Sequence, residues 1–263
     1  MINRRKFLSG GAVFLVITIF TIFAAFPFYW MLMTSFRTNN DLYVRSLKSN
    51  TLGFNDSPTI DNYTLLFNQT NYGRFVVNSI GIGIAVVLIT LIGAVPAAYS
   101  LARLTGAWGE RLGILIFLVY LIPPTLLFIP LSRMIVLLRL QDTVWALIVT
   151  YPTFTIPFCT WLMMGFIKSL PREIEEQAMV DGCSRLGAAV RVVLPLTVPG
   201  ILTITVFSFT LTMHEYIYAL AFVAPSAQKP IGVGVTTELI SRRCLLLAVA
   251  DGRAAILVAI PSR

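Results

Sequence analysis

KSLPREIEEQAMVDGCSRLGAAVRVVLPLTVP, residues Lys168 to Pro199, is a strongly charged stretch set between long runs that carry no charge. It holds four basic residues (Lys168, Arg172, Arg185, Arg191) and four acidic ones (Glu173, Glu175, Glu176, Asp181). Charges at bilayer depth cost several kcal/mol each, so a hairpin of this composition faces water. Pro171 suits the first turn of a helix, where its missing N–H would be unpaired anyway. Glu173, Glu175 and Glu176 follow in the early turns, where the helix dipole favours carboxylates. Gly182 is expected to end that helix in the left-handed conformation that side chains resist. Ser184 then caps a second helix, Leu186 to Val193, which is expected to stop before Pro195.

Outward from the hairpin, the chain reads as a membrane protein. Of its 263 residues 57% are hydrophobic and only 12% charged, where soluble domains average about 25% charged. A net charge of +8 in a soluble protein would suggest nucleic acid. Here the basic residues sit at segment ends, as membrane anchors do, and no nucleic-acid partner is expected. Cys159, Cys183 and Cys244 lack metal-ligand spacing, so neither a metal site nor a disulfide is expected.

Apolar runs, charge-free except for Glu215 in the last, place spans near residues 10–33, 75–102, 112–132, 143–167 and 198–223. Arg4, Arg5 and Lys6 precede the first, which is too long for a cleaved signal core and is read as an uncleaved helix. Residues 37–74 form a polar segment with a short amphipathic helix near Tyr63 to Phe67. Pro123 and Pro124 are expected to kink the third span, and Pro152 and Pro157 lie within the fourth. The fifth carries the only histidine, His214, beside Glu215, with Tyr218 one turn on. An ionisable residue in a span is by default a functional-site candidate. Glu215 is read equally as a pathway residue or as a helix-end anchor, and Asn78 equally as a packing group or a pathway residue. A zinc-protease motif fails, because the second histidine it needs is Tyr218.

The hairpin resembles the EAA motif of bacterial ABC importer permeases: Glu-Ala-Ala, three residues, Gly, nine residues, then Ile-x-Leu-Pro. Glu176, Ala178, Gly182, Val192, Leu194 and Pro195 fall on it with the spacing intact, while Gln177 and Val192 are substitutions. "MVDG" at Met179 to Gly182 is similar to the form in the carbohydrate-uptake branch, as in the smaller maltose-type permease. "PTIDNYTLLF" at Pro58 to Phe67 and Asn78–Ser79 resemble further stretches of that branch. "FTLTMHEYIYALAF" matches a third with Glu215, but His214 and Met213 depart from it.

The resemblance implies an all-α integral membrane protein of about six transmembrane helices, with a cytosolic coupling-helix hairpin, residues 168–195, between spans 4 and 5. It implies a permease domain over 1–240 in the bacterial inner membrane, with the N-terminus cytosolic. The implied function is binding-protein-dependent import of a sugar or related polyol. The implied partners are a dimer of ATP-binding subunits, a second permease and an extracytoplasmic solute-binding protein. ATP would be bound by the partner; no phosphate-binding loop or catalytic constellation occurs in this chain. Glu175, Glu176, Ala178, Asp181, Gly182, Leu194 and Pro195 are the expected coupling residues, the acidic ones pairing with basic groups on the ATPase. Asn78, His214, Glu215 and Tyr218 are the possible pathway residues. Permeation of a polyamine or phosphonate, or a secondary transporter relaying protons through Glu215 and His214, is the alternative; an intramembrane enzyme is more remote. Residues 241–263 break the pattern. Asp251 and Arg253 interrupt the apolar run, and Arg242 and Arg243 sit where its outer end would lie. An incomplete sixth span is expected there, of the kind an altered reading frame produces, with a partner-specific short tail as the lesser alternative.

Overall fold

The computed structural model describes residues 4–38, 53–54 and 57–240, all helix, turn or loop among those residues. The expected atypical tail at 241–263 lies outside them. The chain divides into two compact units, residues 1–70 and 71–263.

In the first unit, α1 (Arg4–Ser35) includes a 23-residue apolar stretch from Val13 to Ser35, long enough to cross a bilayer. Its threonines are satisfied within the helix. Thr18, Thr21 and Thr34 donate to carbonyls four residues back at 2.8 Å, as a helix surrounded by lipid requires. Helix α2 (Asp61–Gln69) closes the end of α1. Asn62 Nδ2 donates to the Ser35 and Arg37 carbonyls at 3.1 and 2.8 Å, and Tyr63 donates to Ser35 Oγ at 2.8 Å. The Asn-Tyr pair of the resemblance is thus a C-terminal cap for the first span.

In the second unit, α3 (Tyr72–Tyr99) continues through a wide turn, Ser100–Leu104, into a 33-residue span. Its buried residues include Phe75, Ser79, Ile82, Val86, Thr90, Ala94 and Ala98, which recur every three or four positions, with Gly83 and Val87 beside them: the stripe of a helix packed on one side. That stripe meets α7 (Pro152–Ser169) and α10 (Val198–His214). Close approach depends on small residues, as is usual for helices in lipid. At Gly83 a Cβ would lie 2.6 Å from the Phe209 ring. Helix α6 (Val144–Thr150) leads into α7, and the two make one 26-residue span despite Pro152.

Where the sequence suggested a kinked third span over 112–132, there are two helices, α4 (Ala107–Tyr120) and α5 (Pro124–Leu137), bent by 86°. Pro123 is extended, Pro124 starts the new helix, and neither can supply the N–H that would carry α4 onward. The α4 start is fixed by contact. A Cβ at Gly109 would sit 2.0 Å from the Leu101 carbonyl oxygen and 2.3 Å from Thr105 Oγ1. Gly109→Ala should therefore destabilise the purified chain by about 1–3 kcal/mol, the usual range for overpacking. The measurement is the thermal unfolding midpoint in detergent, and an unchanged midpoint contradicts this packing.

The fifth span also differs from expectation. Its helix α10 ends at His214, and α11 (Ile217–Phe222) follows after a break. Among the described residues, three helices are long and apolar enough to cross a membrane, or five if each bent pair is one span.

Candidate functional site

The hairpin begins with α8 (Arg172–Val180), preceded by Pro171 and carrying Glu173 and Glu175 in its first turn. Gly182 has φ +92°, and the helix closes with two paired bonds: the Gly182 N–H donates to the Met179 carbonyl at 3.1 Å and the Cys183 N–H to the Ala178 carbonyl at 3.0 Å. This is the Schellman closure, which requires a left-handed residue at that position. Ser184 Oγ accepts from the Gly187 N–H at 3.1 Å and so caps α9 (Arg185–Leu196).

Pro195 does not stop that helix as expected. Residues 189–193 open into a wide turn in which the Leu194 N–H reaches the Ala189 carbonyl five residues back. Pro195 then falls in the first turn of the continuation, where no N–H is required of it. A bend of 71° separates α9 from α10.

The expected coupling residues divide into two groups. Glu176, Asp181 and Gly182 are exposed, as are Leu194 and Pro195, and beside them Val180 and Leu186 are 87% and 74% exposed. Both are aliphatic side chains set among the charges of the hairpin. Ala178 and Glu175 are buried. The Glu175 carboxylate turns into the bundle, because the helical phase points it at the end of α3. Tyr99 donates to its Oε1 at 2.5 Å, and Arg103 Nε lies 3.3 Å from its Oε2. Arg103 also donates to the Ile167 and Leu170 carbonyls at 3.0 and 2.8 Å. Tyr99 and Arg103 were not singled out from sequence, although an i, i+4 polar pair at a span's end is a readable signal.

The other candidates lie toward the opposite end of the unit. Asn78 Nδ2 donates to the Ala227 and Lys229 carbonyls at 2.9 and 3.2 Å, and Ser79 Oγ accepts from the Ile231 N–H at 2.8 Å. Asn78 thereby pins the 227–231 loop. His214 is exposed at the end of α10. Glu215 accepts from the Tyr218 N–H at 3.0 Å and the Ala219 N–H at 3.2 Å, which makes it the cap of α11. Tyr151 donates to the same carboxylate at 3.1 Å, and Tyr218 donates to the Pro124 carbonyl at 2.5 Å. The breaks in the third and fifth spans are therefore tied through Tyr218. A small cavity lined by Ser79, Tyr151, Thr212, Met213 and Glu215 lies here.

Residues 94–243 match the family described as binding-protein-dependent transport system inner membrane component. The sulfoquinovosyl glycerol transport system permease protein SmoH of Agrobacterium fabrum is 33% identical over 231 residues, covering 88% of this chain and 80% of that protein. The diacetylchitobiose uptake system permease protein DasC of Streptomyces coelicolor is 28% identical over 192 residues, 72% of this chain and 67% of that protein. Among solved structures, a bacterial ABC transporter involved in the import of the acidic polysaccharide alginate matches with a TM-score of 0.73 at 18% identity. That match covers 94% of this chain and 88% of that one, and it shows a shared fold.

Proposed function

The chain belongs to the binding-protein-dependent transport system inner membrane components, the permeases of ABC importers, and from that premise we propose that it carries a sugar or related polyol inward. It is a membrane transport component and not an enzyme. Partner subunits bind and hydrolyse ATP. The hairpin, residues 168–195, seats in a groove of an ATP-binding subunit through Val180, Leu186, Glu176 and Asp181. Closure of two such subunits draws this hairpin toward that of a second, similar permease, and the spans rock from inward- to outward-open. A solute-binding protein delivers substrate on the opposite side, and the N-terminus lies in the cytosol.

The observation that carries this reading is the exposure of Val180 and Leu186 on a hairpin whose buried face is already occupied. Substrate class is supported by the relatives, whose names give sulfoquinovosyl glycerol and diacetylchitobiose. The test is co-purification of the chain with candidate ATP-binding subunits. Capture by the wild type and its loss in Val180→Asp/Leu186→Asp supports the reading. A chain that inserts stably and captures no ATPase overturns it.

A further inference from the structure

We propose that Arg103 and Tyr99 form, with Glu175, the joint through which movement of the hairpin reaches the second and fourth spans; the proposal rests on the importer reading above. Glu175 and Arg103 have side chains only 7% and 6% exposed. Removing two charges from water is expensive, and such a pair is weak evidence for stability alone. It does, however, fix geometry. From the wide turn at the end of α3, one guanidinium reaches two other pieces of the chain: the Ile167 and Leu170 carbonyls at the end of α7, and the α8 carboxylate. Main-chain packing of α8 is against the other half of the hairpin. The Glu175 side chain therefore supplies its polar tie to α3, with Tyr99 as the directional contact.

The elements on either side of α8 are suited to movement. The end of α3, Ser100–Leu104, and the packing partner, Ala189–Val193, are both wound as wide turns with bonds to the fifth residue. Wide turns inside helices are rare and recur at functional sites. A rigid tie between two adaptable turns passes displacement on; without it the turns absorb the displacement.

Tyr99 and Arg103 are positioning residues, so the readout must be one that a structural role would not move. That readout is solute transported per ATP hydrolysed, measured on purified importer complexes reconstituted in proteoliposomes. Glu175→Gln keeps shape and removes charge, while Tyr99→Phe removes one hydroxyl from a ring that otherwise stays in place. The expected result is normal assembly with the ratio lowered about tenfold by Glu175→Gln and about threefold by Tyr99→Phe, the scale of a coupling network. The double variant should be no worse than Glu175→Gln alone, because both act on one carboxylate. An unchanged ratio in both variants, even with less assembled complex, overturns the proposal. A wild-type chain that captures no ATPase defeats the importer reading first, and this joint with it.

Discussion

Gly182→Val should abolish coupled transport while the chain still inserts and folds. At φ +92° the residue lies where a β-branched side chain is strained, and the two bonds to Met179 and Ala178 hold only if that conformation is kept. A Cβ here meets nothing within 4 Å, so the penalty comes from the backbone and not from a clash. Strain of this kind is worth about 1–3 kcal/mol. The strain is relieved by opening the bend, which re-aims α9 relative to α8 and so disrupts the proposed docking surface. Because the bend at Gly182 is exposed, the spans and their unfolding midpoint should change little. Solute uptake should fall by at least about tenfold, since 1.4 kcal/mol already corresponds to that factor. Normal uptake by Gly182→Val would exclude the bend as a coupling element.

The second large effect is expected at the opposite end. Glu215→Ala removes the acceptor of the Tyr218 and Ala219 N–H groups and of the Tyr151 hydroxyl, and Tyr151 is only 1% exposed. A lost cap costs about 0.5–2 kcal/mol, and a buried hydroxyl left without its acceptor about 1–3 kcal/mol. Here, unlike at Gly182, the unfolding midpoint should drop clearly, and transport with it. Glu215→Gln keeps an acceptor oxygen and should recover most of the stability. If Glu215→Ala melts like wild type yet loses transport, Glu215 serves the pathway and not the fold.

The hairpin was legible because its chemistry is local. Gly182 and Ser184 each act within a few residues and each does what its type predicts, while Pro171, expected in the first turn, stands one residue ahead of it with extended backbone. Three glutamates, Glu173, Glu175 and Glu176, are indistinguishable by that logic. Which one turns inward is set by Tyr99, 76 positions away. Glu215 was undecided for the same reason, since the tyrosine that meets it lies 64 residues earlier in the chain. Two adjacent prolines announced a bend in the third span, but its 86° depends on where α5 packs, with Tyr218 holding the Pro124 carbonyl. At Pro195 the local rule misled, because a wide turn ahead of a proline removes the conflict that would end the helix.

The central claim is that the chain moves solute because a partner's ATP-driven stroke is delivered to its hairpin. The direct measurement is solute uptake by proteoliposomes holding this chain, its second permease and the ATP-binding subunits. ATP is supplied on the hairpin side and loaded solute-binding protein on the other. The account predicts uptake only when the ATP-binding subunits and ATP are both present. Uptake that persists without them, driven by an ion gradient and lost in Glu215→Gln, would contradict it.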